Sequence, residues 1–347
     1  MRHAFRPWGD MTWVLDHIQS QRWAFVGAAS MEDRCTATVE NLLERAAVGS
    51  SLIFRIQDAQ SRYLNEVELK TDRNEQRIAA MGLAGMTLSR RHLLGRHGAI
   101  ATDIDEFFNK QPDDSLVIDI SSLPKKVFFL LIRKALERPN SLRNIVVTYT
   151  EPDSYCKSPL AENPGVWNPL PGFLPPRPEP ADKTLIIGLG YEPLGLPELY
   201  SSGIFSNANS RLLFPFPASP NSVARNWDFA RLLEPVPGNS SQNITLIDAL
   251  NVPDTFDKLV SITGEGSTYS ILAPFGPKPM SLAMCLFASA FSGHPRHPSV
   301  FYTQPTIYNP DYSTGVKQKD GQPAITAYCI RLNGNNLYDT PRRGQID

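Results

Sequence analysis

The sequence predicts an α/β protein built as two tandem units with mainly parallel sheets. Three observations carry this prediction. Strand and helix patterns alternate along both halves of the chain, a proline-dense segment separates the halves, and short motifs of the first half return in order in the second. The chain has 347 residues, which at roughly 150 per domain fits about two domains. Apolar residues make up 41% and charged residues 20%, enough for packed cores and unlike a disordered chain.

Thirty-four basic against 35 acidic residues leave a net charge of −1, which argues against extensive duplex nucleic-acid binding but leaves room for a local basic patch. No stretch approaches the roughly 20 apolar residues of a membrane span. The opening MRHAFRPWGDMTWVLDH interrupts any apolar run with charges, so no secretory signal is expected. Cys35, Cys156, Cys285 and Cys329 are far apart and form no CxxC pair. Neither a zinc site nor a disulfide framework is indicated, and a reduced, cytoplasmic setting without cofactor is the default expectation.

Eight of the 26 residues from 157 to 182 are proline, a composition that holds neither a helix nor a central strand. It reads as a stiff Pro-rich linker between units 1–156 and 183–347, with Trp167 and Phe173 lying along a surface. In the first unit, WAFVGAAS reads as a strand, MEDRCTATVENLLERAAVG as a helix, SLIFRIQD as a strand, RYLNEVELKTDRNEQRIAAMG as a helix, LVIDIS as a buried strand, KVFFLLIRKALERP as a helix and NIVVTYTEP as a strand. The second gives TLIIGLGYEP as strand and turn, then RLLFPFPA as an edge strand because of its prolines. SVARNWDFARLLE is helical, NITLIDAL is a strand or helix start, FDKLVSI is helical and TYSILAP is a strand. PMSLAMCLFASAFSG is an apolar helix and SVFYTQP a strand, and ITAYCIRLNG adds a last strand outside the repeat.

The repeat pairs FVGAASMEDR with IIGLGYEPLG (Gly27 with Gly188, Glu32 with Glu192) and DRNEQRI with ARNWDFA (Arg73 with Arg225, Asn74 with Asn226). DISSLPKK matches APFGPKPM through Pro124–Lys125 and Pro277–Lys278. VVTYTEPDSY matches SVFYTQPTIY, so Tyr149, Thr150 and Tyr155 pair with Tyr302, Thr303 and Tyr308. Lysine and tyrosine stand 24 residues apart in both copies. Duplication of one Rossmann-like unit, with the halves packed in a pseudo-twofold arrangement, accounts for these matches.

Lys125 and Lys278 fall where a strand passes into a helix, the edge at which open parallel sheets bind ligands. A helix start offers free N–H groups and partial positive charge, so a lysine in both copies points to a bound anion, with phosphate the natural candidate. Ser121, Ser122 and Gly276 are small enough to admit a close ligand. The bland alternative is a proline that opens the helix and a lysine that reaches water. Tyr149, Thr150, Tyr302 and Thr303 lie beside this edge, where rings can stack on a base and hydroxyls can bond a ribose or phosphate. The alternative is packing within the sheet. Glu32 and Glu192 either cap a helix start or bond a ribose or base, or act as a general base. Arg34 and Cys35 show no partner in the sequence, so Cys35 is not taken as a nucleophile.

GxxxxGK[ST] is absent, and GLGYEPLG departs from GxGxxG with Pro193 at the helix start, so neither a Walker loop nor NAD binding is expected. His294 and His297, bracketed by prolines, do not share a helix face, so no metal site is expected there. TGEGS reads as a tight turn.

A duplicated Rossmann-like unit whose small-residue loop ends in lysine before an apolar helix resembles the CARF and SAVED nucleotide-sensor domains of prokaryotic antiviral systems. APFGPKPMS is the more similar loop, and DISSLPKKV the more distant; prolines stand where the family's loop usually has threonine. The resemblance implies recognition of a nucleotide or cyclic oligonucleotide. With no HNH-like or nuclease D…ExK pattern in the sequence, it also implies a separate protein partner that supplies the effector activity. Two other readings stay open. One is an enzyme on nucleotides or nucleic acid, a hydrolase or transferase, with Glu32 and Asp119 as candidate catalytic residues in the first unit. The other is a scaffold subunit that grips a partner through 157–180.

Overall fold

The computed structural model describes residues 5–18, 20–138, 141–190, 194–203, 208–216, 224, 227 and 243–339. The chain forms two compact units: Met1–Asn163 with Pro305–Leu337, and Pro164–Gln304 with Tyr338–Asp347.

The first unit opens with strand β1 (Trp8–Asp10) and helix α1 (Met11–Ile18), neither among the elements expected. Asp10 caps α1 by accepting the Thr12 amide at 2.9 Å. There follow β2 (Arg22–Ala29), α2 (Ala37–Leu43), β3 (Ala47–Gln57), α3 (Leu64–Ala80), β4 (Met86–His92), α4 (His97–Lys110), β5 (Ser115–Asp119), α5 (Lys125–Leu136) and β6 (Asn144–Thr150). The helix expected over 31–49 is shorter than its pattern, because from Ala47 onward the chain already pairs with β2. Strands run β4-β3-β2-β5-β6, all parallel. In chain order this is 3-2-1-4-5, the doubly wound arrangement, with its switch point between β2 and β5. Val117 and Ile118 of β5 are fully buried, as are Val127, Phe128, Phe129, Leu131 and Ile132 of α5. Each such side chain contributes about 1.5–3 kcal/mol of transfer free energy.

The second unit contains β7 (Asn168–Pro169), β8 (Lys183–Gly188), α6 (Leu196–Ser201), β9 (Ala208–Pro215), β10 (Ile244–Ile247), α7 (Val252–Ile262), β11 (Ser270–Pro274), α8 (Lys278–Ala290) and β12 (Ser299–Tyr302). Its parallel strands run β10-β9-β8-β11-β12, again 3-2-1-4-5, with β7 antiparallel on β12. β9 is therefore not an edge strand: β8 and β10 flank it, and Pro215 stands at its last position, where little of the ladder is lost. NITLIDAL supplies strand β10. Most of SVARNWDFARLLE, with Arg225 and Asn226, lies outside the described residues.

Two boundaries differ from expectation. The last long strand, β13 (Ile325–Leu332), does not belong with 183–347. It joins the first sheet, antiparallel to both β6 and β1. Ala327, Tyr328, Cys329 and Ile330 are fully buried there, so β13 covers an edge that β6 would otherwise expose. The Pro-rich segment is also more than a linker. β7 extends the second sheet, Phe173 is 1% exposed, and Trp167 stacks on Phe301 at 5.4 Å. An edge position tolerates Pro169 because it needs no second ladder bond. Among the described residues, no helix is long and apolar enough to cross a membrane.

Candidate functional site

At the carboxyl edge of the first sheet, the sequence-selected residues are largely occupied with one another. Asp119 ends β5, and its Oδ1 accepts the Ser121 amide at 2.9 Å and the Ser121 hydroxyl. Ser121 Oγ in turn accepts the Thr150 amide at 2.7 Å, which ties the ends of β5 and β6. Ser121 and Thr150 are fully buried. Thr150 Oγ1 lies 3.4 Å from the Thr38 hydroxyl. Their hydroxyls thus build the edge from inside, where ribose or phosphate contact had been the expectation.

Glu32 does not cap a helix. It precedes a single 3-10 turn (Asp33–Cys35) and makes no side-chain cap bond. Its Oε2 accepts Arg34 Nε at 2.9 Å, Arg34 Nη2 at 2.6 Å and the Ser313 hydroxyl. Arg34 Nη1 donates to the Thr150 carbonyl at 3.0 Å, and its guanidinium sits 5.4 Å from the Tyr149 ring centroid. Glu32 and Arg34 are buried, so this is an interior ion pair that fastens the β2 loop to the end of β6. Asn74 on α3 adds to the fastening, donating to the Ser30 carbonyl at 2.8 Å. Tyr149 is buried and its hydroxyl lies 3.1 Å from that of Tyr155. Burial pushes the Cys35 thiol up to about 12, leaving no thiolate nucleophile at neutral pH.

The two lysines occupy equivalent places. Lys125 is the first residue of α5 and Lys278 the first of α8, each half-buried and each behind an extended proline: Pro124 at φ −57°, ψ 145° and Pro277 at φ −51°, ψ 154°. Neither helix has a side-chain cap or an acid in its first turn. Ser122 is half-buried in the turn ahead of Lys125. Glu192 lies outside the described residues.

In the second unit the switch point between β8 and β11 is filled by its own backbone. A Cβ at Gly190 would stand 2.2 Å from the Phe275 carbonyl oxygen, and one at Gly276 would stand 2.9 Å from the Leu189 carbonyl oxygen. The close approach at Gly276 is therefore between two loops of the protein, where a ligand had been expected. Gly190→Ala is expected to destabilise the second unit by about 1–3 kcal/mol through forced displacement of this backbone, read as a lower denaturant midpoint. The Tyr302 ring packs 5.4 Å from that of Phe275, and burial raises its hydroxyl pKa above the ordinary value. Thr303 is 1% exposed, and its hydroxyl has no hydrogen-bond partner among the described residues.

Three groups at the first sheet's carboxyl edge escape sequence reasoning. Arg34 finds its partner only two residues away. Asp58 follows β3, and burial, with Glu68 nearby, pushes its carboxyl up to about 6. Lys126 is 5% exposed, and burial lowers its ammonium to about 8. Each stands next to a strand or helix end, but sequence shows no burial, which is what perturbs them. Among the described residues no cluster of histidine, cysteine and carboxylate side chains could hold a metal ion.

No family model matches this chain. No curated protein matches it either. Among solved structures it is similar to a functionally unknown protein, PA1789, from Pseudomonas aeruginosa PAO1. The identity is 10%, over 84% of this chain and 95% of that one, with a TM-score of 0.22. At that score the overlap is too slight to bear on either fold or activity.

Proposed function

We propose that this protein is a tandem Rossmann-like binding module for the phosphate of a nucleotide or cyclic oligonucleotide. It would work as a regulatory sensor, and the effector activity would come from a protein partner. The observation that carries the reading is the doubled helix start. Two sheets share one strand order, and in both a Pro-Lys pair without an acid or cap opens the helix that follows the fourth strand. The helix dipole and the ammonium there favour one class of ligand, an oxyanion. Descent of both units from one duplicated ancestor in pseudo-twofold relation, and a role in antiviral defence, belong to the same proposal; support for the defence role is the loop resemblance alone. An enzymatic role for Glu32 and Asp119 has less support, because Arg34, Ser313 and Ser121 already engage their carboxylates.

The test is thermal-shift and calorimetric titration with mono-, di- and cyclic oligonucleotides. A charge-assisted contact is worth about 1.5–3 kcal/mol, so Lys125→Ala and Lys278→Ala are each expected to weaken the binding ligand roughly 10- to 100-fold. If both variants leave every ligand response unchanged, the reading fails.

A further inference from the structure

The second unit gathers aromatic rings at its carboxyl edge, where open parallel sheets take ligands, and lays its own connector over them. Phe275 directly follows β11, and Phe301 and Tyr302 end β12. The rings of Phe275 and Tyr302 lie 5.4 Å apart. Trp167 of the connector covers this platform. Its indole is 2° from parallel to Phe275 at 6.2 Å and 21° from parallel to Phe301 at 5.4 Å. Counted from the Pro-Lys pairs, the first unit has Ser122 and Thr148 where the second has Phe275 and Phe301. The platform is thus particular to the second unit, since the first builds the same edge without it.

The cover lies near the surface. Residues 164–169 meet the sheet through the two-residue strand β7 and through the Gly165 amide, which donates to the Gln304 carbonyl at 2.9 Å. Pro164 and Pro169 carry no N–H. Val166 is 77% exposed and Trp167 is half-buried. Beside this segment stands Thr303, the buried residue whose hydroxyl has no hydrogen-bond partner among the described residues. Pro164 and the Thr303 methyl crowd the same space: a Cβ at Gly195 would stand 3.0 Å from one and 3.6 Å from the other. A buried hydroxyl without a partner is costly, and the neighbouring proline has no donor to offer it.

We propose that the aromatic platform of the second unit is a stacking site for a purine base, and that residues 164–169 are a strap that fills it with the Trp167 indole until a ligand takes its place. Indole and purine are planar fused bicycles of similar size, and aromatic rings stack on either. A purine nucleoside brings a hydrogen-bonding edge as well, which suits the unpartnered Thr303 hydroxyl. The inference rests on the nucleotide reading above and extends it from phosphate to base, but no part of it uses Lys125 or Lys278.

The probe is adenosine, which has no phosphate, titrated calorimetrically into the full chain. The wild type is expected to bind it weakly and Trp167→Ala roughly 10- to 100-fold more tightly, the range of one base stack. In Gly165→Ala the new Cβ would press on the Gln304 carbonyl oxygen from 3.0 Å, which should lift the strap with Trp167 intact and give a smaller gain. That variant carries the test should Trp167→Ala fold poorly. Adding Phe301→Leu to either should remove the gain, and adding Thr303→Val should reduce it several-fold. Adding Lys278→Ala should leave adenosine binding unchanged, so that failure of the phosphate reading and failure of this one are told apart. Adenosine binding no tighter in Trp167→Ala and Gly165→Ala than in the wild type overturns the proposal, as does a gain that survives Phe301→Leu.

Discussion

Replacing Arg34 with methionine is expected to destabilise the first unit by about 3–5 kcal/mol, the cost of stripping one partner from a buried ion pair. The guanidinium meets Glu32 through two nitrogens, the Thr150 carbonyl through a third, and the Tyr149 ring through its face. Methionine replaces the volume but leaves the Glu32 carboxylate in the interior with the Ser313 hydroxyl as its remaining donor of this set. Because the loss comes from an orphaned charge, removing that charge too should restore most of it, so Arg34→Met with Glu32→Leu is expected to be more stable than Arg34→Met alone. Equilibrium denaturation of both proteins separates this account from a simple packing loss, in which the second substitution would add to the first. The same experiment bears on the enzymatic alternative. A Glu32 that fastens a loop should show its effect in stability whether or not a substrate is present, whereas a general base should show it in turnover.

The alternation of elements and the strand-to-helix turns at the two Pro-Lys pairs were legible because both rest on local patterns. LVIDI and SILAP are short apolar runs, and as the fourth parallel strand of each sheet they are buried on both faces, so burial and composition agree. Pro124–Lys125 and Pro277–Lys278 fall at the same strand-to-helix turn in both units because proline both stops the strand and starts the helix. What escaped was non-local. MTLSRRH carries no strand signal, since β4 is an edge whose exposed face is polar, and Ser89, its buried residue, is held by Asp103 from α4. ITAYCIRLNG reads correctly as a strand, but its partner β6 lies some 180 residues earlier, a pairing that no local periodicity encodes. At the candidate site, Lys125 drew attention because it repeats, while its neighbour Lys126, the more deeply buried, has no match in the second unit and so left no trace in the comparison of halves.

Arg331→Met is expected to cost about 3–5 kcal/mol as well, for a different reason: this buried cation has carbonyl oxygens as partners. Arg331 on β13 is fully buried. Its Nη1 donates to the carbonyls of Ala135, Arg138 and Leu142 at 3.2, 3.0 and 3.2 Å, its Nη2 to that of Leu136, and its Nε to Asn336 Oδ1 at 2.7 Å. Three of these carbonyls belong to the C-terminus of α5 and its exit, where the last turn leaves acceptors unbonded and carries partial negative charge. One planar fork thus satisfies the helix end and holds the returning strand to the unit it completes. Methionine would leave the Leu136 and Leu142 carbonyls and Asn336 Oδ1 without this donor at about 1–3 kcal/mol each, partly relieved by water, while the Ala135 and Arg138 carbonyls keep the Arg138 and Leu142 amides. Lysine keeps the charge but lacks the fork, so Arg331→Lys should recover only a minor share. Hydrogen exchange gives the sharper readout. In Arg331→Met, protection should fall first along β13 and the last turn of α5. β6 would then become an open edge, and soluble yield should drop through edge-to-edge association. Uniform loss of protection over the whole unit, without a lead from β13, would refute the view that this residue is the clasp between strand and helix.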